Sequence, residues 1–326
     1  MIEILGESVT VDLVDLVSRG GAHFSLSEKA RARMHESREY IEKRISSGEV
    51  MYGVNTGFGA FSSVRISDSE IEELQRNLIR SHSAGIGEPF TRAQTRAMMF
   101  LRASTLARGH SGIRPAVVEK ILEFLNHDVV PVIPSQGSVG ASGDLAPLSH
   151  LALSLMGEGE CWGDDGKRVH VKEVLQEKGL QPLVLKAKEG LSLINGCQVM
   201  TAVGMLAAAE AREILKVADI VGALSLEALM GSRRAFDPLI SATRPHPGEA
   251  KTARNLMKIL GETSEIAESH RECNRVQDAY SLRCMPAVHG AVKDTLAHVW
   301  RVLETEANSS TDNPLVFAAE NKILSC

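Results

Sequence analysis

Apolar residues along this chain fall mostly at helical spacing, in blocks separated by glycine and proline. After a weakly alternating start, Ser25-Leu26-Ser27-Glu28 reads as a capping box opening an amphipathic helix to about Ile45, which ends near Gly48. Helical patterning returns from about Ser69 to Arg80, from Thr91 to Arg108 and from Pro115 to His127, each bounded by Gly or Pro. Asp144 is placed to cap a helix running to about Met156, and Gly163-Asp164-Asp165-Gly166 to turn a small polar excursion. From Asn195 to Met230 there is no proline, and alanine and leucine dominate, which predicts one long buried helix or a helix pair, hence a bundle. A further helix is expected from about Pro286, since proline suits a first turn, to about Asn308.

Strands are few. The pattern is mainly α: an N-terminal helical domain over 1–195 with irregular loops, leading into a long-helix bundle over 196–326. The chain then stops at Cys326 with no closing element expected, like the front part of something longer.

Composition narrows the function classes. Hydrophobic residues make up 44% and charged residues 24% of the 326, an ordinary globular balance that excludes disorder and fibrous repeats. A formal charge of -5 gives no field for nucleic acid, and the start Met1-Ile2-Glu3-Ile4 is not a leader, so a soluble cytoplasmic protein with no membrane partner is expected. Five cysteines without a C-x-x-C pair suggest reduced thiols, and the eleven histidines contain no H-E-x-x-H, so no metal is expected.

Gly137-Ser138-Val139-Gly140-Ala141-Ser142-Gly143-Asp144 is the densest chemical feature. It is no phosphate loop, because Asp144 stands where a lysine is needed, and no nucleophile elbow, because neither serine is central in G-x-S-x-G. One reading is a tight loop before a capped helix. Another is covalent: the amide nitrogen of Gly143, unhindered by a Cβ, attacks the Ala141 carbonyl, whose oxygen leaves as water, and Ser142 loses its hydroxyl as a second water. The product is a five-membered ring bearing a methylidene, an electrophile made from backbone.

The run from Gly137 to His150 resembles the signature of the aromatic amino acid ammonia-lyases and aminomutases, whose Ala-Ser-Gly becomes 4-methylideneimidazol-5-one. Segments starting at Tyr52 (Tyr-Gly-Val-Asn-Thr-Gly-Phe-Gly), Asn77, Lys188, Val276 and Thr311 (Thr-Asp-Asn-Pro) resemble further family motifs, in family order. Ser81-His82 and the run Gln277 to Cys284 are similar to the histidine branch. The resemblance implies elimination of ammonia from L-histidine to trans-urocanate, with no external cofactor, in a homotetramer whose active sites are shared among subunits. Tyrosine ammonia-lyase or tyrosine 2,3-aminomutase chemistry is the alternative, and an inactive shortened helical protein a third, since the chain resembles only the first two-thirds of the family.

Each residue role has a plainer counterpart. The resemblance makes Tyr52 the base for the β-proton; otherwise it is a loop aromatic. A phenol titrates near about 10, so a positive charge or donor must stabilise its anion. His82 lines the pocket for the substrate ring or is a satisfied core histidine. Asn195 bonds the prosthetic ring or the substrate amine and is also a plausible cap for the long helix. Arg283 suits an α-carboxylate or a surface ion pair. Gln277 and Tyr280 precede Arg283 at intervals of three and join the substrate-binding and catalytic sets respectively. Pro286 disfavours helix just before it, so this segment is expected as a loop or single turn.

Overall fold

A computed structural model describes residues 1–51, 53–56, 70–140 and 143–325. The expected site residues Tyr52, Ala141 and Ser142 lie outside the described residues, as do Gly57, Phe58 and Gly59 of the Tyr52 motif. The fold is mainly helical, and the chain divides into two compact units, 1–206 with 303–326, and 207–302. Both boundaries fall inside helices.

In the first unit, β1 (Ile2–Ile4) pairs in parallel with β2 (Phe24–Leu26), on either side of α1 (Val11–Ser18). Ser25 therefore belongs to a strand, and the cap of α2 (Glu28–Ser46) is Ser27, whose side chain accepts from Ala30 N. The expected box from Ser25 to Glu28 is displaced by two residues, because Ile4 O takes the Ser27 N–H and keeps the chain extended to that point.

α3 (Ile71–His82) leads to β3 (Ile86–Pro89), then α4 (Arg92–Leu106) and α5 (Pro115–Asn126). Thr91 and Gln94 form a reciprocal capping box on α4, every residue of which from Thr95 to Leu106 is buried. Pro115 starts α5, as its fixed φ allows. β4 (Pro134–Gln136) pairs antiparallel with β3 and delivers the chain to the glycine loop. α6 (Leu145–Leu155) follows, then the hairpin of β5 (Glu160–Trp162) and β6 (Arg168–His170), turned at the predicted glycines. α7 (Val171–Lys178) and the buried α8 (Glu189–Ile194) lead to α9 (Gln198–Ala228). α3, α6 and α8 pack on one another, which brings the loops at their ends together.

The long helix expected from Asn195 to Met230 is α9, which starts at Gln198 after a break at 195–197 that separates it from α8. By length and hydropathy Glu189–Ala228 could span a membrane, but 61% of its most apolar window is buried inside the protein. The prediction of burial on most sides also needs correction. Val199, Ala202 and Met205 are buried, whereas Ile214, Val217, Val221 and Leu224 are exposed. Apolar composition shows that a face needs cover, not which chain supplies it.

The second unit holds a 3-10 turn (Arg233–Phe236), α10 (Pro238–Thr243), α11 (Pro247–Leu260), α12 (Glu265–Ser269), the single turn α13 (Tyr280–Arg283) and most of α14 (Met285–Ala307). Its core gathers Leu226, Phe236, Leu256 and Met285. α11 and α14 meet glycine on glycine: a Cβ at Gly248 would strike the Gly290 carbonyl, and one at Gly290 the Glu249 amide. The C-terminal segment does close, as the antiparallel hairpin of β7 (Leu315–Phe317) and β8 (Lys322–Leu324), with Val316 N donating to His110 O at 2.8 Å.

Candidate active site

The glycine loop is anchored at both described ends. Gly137, Gly140 and Gly143 have φ of +145°, +58° and +98°, conformations that side chains resist. Gly143 N donates to Gly140 O at 2.7 Å, and Val139 N to Gly143 O at 3.3 Å, so Gly143 is drawn back against the start of the loop. A Cβ at Gly143 would stand 3.4 Å from Gly196 O and 3.5 Å from Gly196 N. Backbone packs on backbone there. These flanks fit a ring built from residues 141–143, which needs glycine at its closing position.

Asp144 ties the loop to α9. Its N–H donates to Gly196 O at 2.7 Å, and Oδ2 accepts from Val199 N at 2.7 Å and Met200 N at 3.0 Å. Oδ1 accepts from Ser138 Oγ at 2.6 Å. Asp144 stands at the N-cap position of α6, as expected, but its side chain makes no bond there and instead caps α9, 55 residues on. The physical reason is that φ -90° and ψ +46° turn the fully buried carboxylate away from α6, toward the free first-turn amides of α9.

Asn195 is not the cap of the long helix either. It ends α8, and its Nδ2 donates to Asn313 O at 3.1 Å and Asp312 Oδ1 at 3.5 Å. Arg102, fully buried in α4, holds the break from behind: Nη1 donates to Gln198 Oε1 at 2.5 Å, and Nη2 to Ser192 O and, at 3.0 Å, to Asn195 O. Burial pulls its guanidinium down to about 10, against Asp312, Cys197 and Asp144, so it remains a cation at neutral pH.

Next to it, Lys188 Nζ lies 2.8 Å from Asp312 Oδ2, both buried. Burial lowers the Lys188 ammonium, opposed by Asp312. Burial alone would raise the Asp312 carboxyl, but Lys188 and Arg102 outweigh it and leave it below the ordinary range. Arg102, Lys188 and Asp312 escaped the sequence reasoning as site residues. Lys188 and Asp312 sit inside quoted motifs, where an unpaired-looking charge among apolar and small residues was the available signal.

His82 ends α3 with Nδ1 2.9 Å from Leu78 O. A carbonyl only accepts, so Nδ1 carries a proton toward Leu78 O. The segment after it lies against the loop, since a Cβ at Gly137 would be 3.4 Å from Gly85 Cα. His150 Nε2 accepts from Gly85 N at 3.2 Å, and burial lowers that histidine, which keeps it a neutral acceptor. Around position 52, Met51 N donates to Asn55 Oδ1 at 2.8 Å and Asn55 Nδ2 to Glu49 O at 2.8 Å, with Asn55 and Thr56 buried.

The remaining candidates lie in the second unit. Gln277 and Arg283 line a cavity of about 520 Å³ that also has Arg233, Arg234, Arg271 and Arg275 on its walls, an excess of positive charge suited to carboxylates. Arg283 Nε donates to Asp278 O at 3.2 Å, and its guanidinium lies 4.4 Å above the Tyr280 ring. Tyr280 is 74% exposed. As expected, the segment is a single turn. The structure thus gathers Gly143 and Asn195 in the first unit, with the segment following His82 against the loop, and Gln277, Tyr280 and Arg283 in the second.

The profile of the aromatic amino acid lyase family matches residues 9–326. The chain is 48% identical over 320 residues to a histidine ammonia-lyase of Myxococcus xanthus, covering 98% of this chain and 63% of that protein. Against the histidine ammonia-lyase of Bos taurus it is 48% identical, covering 98% of this chain and 49% of that one. The crystal structure of histidine ammonia-lyase from Trypanosoma cruzi matches with a TM-score of 0.90 at 42% identity, covering 99% of this chain and 60% of that one. A tyrosine aminomutase from Streptomyces globisporus matches with a TM-score of 0.91 at 39% identity, covering 100% and 64%. The chain therefore spans less than two-thirds of the length of these relatives.

Proposed function

Because the chain belongs to the aromatic amino acid lyases, we propose that it serves an ammonia-lyase that converts L-histidine to trans-urocanate, in a cytoplasmic homotetramer. What carries the proposal is the glycine loop clamped between Asp144 and Gly196, with glycine demanded at position 143. The names of the relatives support histidine as substrate.

The 4-methylideneimidazol-5-one expected from Ala141, Ser142 and Gly143 supplies an electrophilic methylidene carbon for the substrate. The other roles belong to ordinary side chains. Tyr52 takes the β-proton, Arg283 with Gln277 receives the α-carboxylate, and Tyr280 belongs with Tyr52 in the catalytic set. His82 lines the pocket for the substrate imidazole and bonds to it through its ring. Asn195 holds the amine or the ring, and Arg102 keeps its backbone in place.

Intact mass tests the first half: the chain should be lighter than its sequence by two water molecules, and Ser142→Ala should keep them. An unmodified mass refutes ring formation. For the second half, histidine, tyrosine and phenylalanine are supplied in turn and the enoate chromophore is followed. Preference for tyrosine would overturn the substrate. A β-amino acid product would favour the mutase reading, which the aminomutase structures support.

A further inference from the structure

Asn195 faces the glycine loop, and its direction is set from behind. Its Nδ2 has two acceptors, Asn313 O at 3.1 Å and Asp312 Oδ1 at 3.5 Å. An amide donates at one end and accepts at the other, so acceptors on the Nδ2 side decide which way the group is turned. Its Oδ1 then lies 3.8 Å from where a Cβ on Gly143 would stand.

Asp312 has no freedom of its own. Oδ2 accepts from Lys188 Nζ and Ser192 Oγ, both at 2.8 Å, and Oδ1 accepts from Asn313 N at 2.8 Å. Lys188 and Asp312 are 0% and 1% exposed. Lys188 also sits at φ +69°, a left-handed conformation that a lysine keeps only where its surroundings impose it. Desolvation cancels much of the attraction in a buried ion pair, so such a pair is weak as a source of stability. What this one supplies is direction.

We propose that Asp312, held by Lys188, is a positioning residue that turns the carbonyl oxygen of Asn195 toward residue 143, so that the site presents a hydrogen-bond acceptor there. An acceptor at that point receives an N–H, the chemistry of a substrate ammonium, and disfavours a carboxylate. The orientation rests on geometry; its purpose rests on the lyase reading.

Asp312→Asn separates the two. With Lys188 present, the ammonium keeps the new amide oxygen on its own side, and the new NH2 confronts the NH2 of Asn195 and the N–H of Asn313, so Asn195 keeps one acceptor there instead of two and its hold loosens. In the double variant Lys188→Met/Asp312→Asn that demand is gone, the new NH2 can face Ser192 Oγ, and Asn195 regains its second acceptor. The double variant also removes an unpaired buried cation, so it folds where the single one is strained.

The probe is hydrogen exchange of the Asn195 side-chain amide in full-length protein labelled with 15N-asparagine, the signal assigned by its loss in Asn195→Asp. Exchange should be at least about tenfold faster in Asp312→Asn, the effect of one lost hydrogen bond, and recover in the double variant. Unchanged exchange in the single variant, or no recovery in the double, overturns the proposal whatever the activity does. In wild type that turns over histidine, Asp312→Asn should lower kcat/KM about tenfold through KM. An unchanged kcat/KM overturns the ammonium role. Wild type that neither sheds two waters nor consumes histidine sinks the lyase reading, while the exchange result still decides the orientation.

Discussion

At the scale of single residues, Asp144 joins two elements through one carboxylate: the glycine loop through Ser138, and the first turn of α9 through the amides of Val199 and Met200. Removing a capping carboxylate costs about 1–2 kcal/mol, and here it also frees the loop. Asp144→Ala should therefore lower the unfolding free energy by at least that amount in denaturant titration and retain the two waters in its intact mass. Asp144→Asn, which keeps an accepting oxygen, should lose less stability.

His150 makes a pH prediction. Its folded value is depressed by burial, so below about 6.5 the unfolded chain takes up a proton that the folded chain refuses. The contribution of His150 is fully present above that pH and is lost as pH falls toward its folded value. Unfolding free energy measured between pH 7 and 5 should decline, and His150→Gln should flatten the decline.

Residue contacts were legible in proportion to how local they are. The glycine loop and Arg283 stood out from side-chain chemistry and motif order. The cap on α9 did not, because a carboxylate followed by an apolar helix points to the nearer helix, and its true partner is 55 residues away. The same distance effect hid the bond from Asn195 to residues 312 and 313.

Among elements, those announced by adjacent residues were readable. The Thr91–Gln94 box and Pro115 mark their helices within a turn. The hairpin of β7 and β8 was not, since three-residue strands are too short to display alternation. Nor was the need for glycine at the junction of α8 and α9. A Cβ at Gly196 would run into Gln198 Oε1 and Arg102 Nη1 and stand 2.8 Å from Thr311 Oγ1. Overpacking of this kind costs about 1–3 kcal/mol. Gly196→Ala should lose that much stability in denaturant titration and displace Asn195, whereas Gly166→Ala, in open space, should leave Asn195 in place. In the second unit, Gly290→Ala presses on backbone that no rotamer change can relieve, and limited proteolysis should open α11 and α14 first.

For the molecule as a whole, the long helices carry more apolar surface than this chain covers. Ile214, Val217, Val221 and Leu224 on α9, and Val288, Val292 and Val302 on α14, are each at least half exposed. Apolar residues exposed along one helix after another mark an association surface or an aggregation hazard. The sequence carried this as a long apolar run and could not distinguish burial within the chain from burial against another, since both demand the same residues. The chain should therefore self-associate at micromolar concentration in sedimentation velocity. Val217→Glu combined with Val221→Glu, which places two charges in the strip without touching the core of either unit, should shift it toward monomer while far-ultraviolet helicity is unchanged. A wild-type chain that stays monomeric at that concentration would show that these faces do not drive association in this chain.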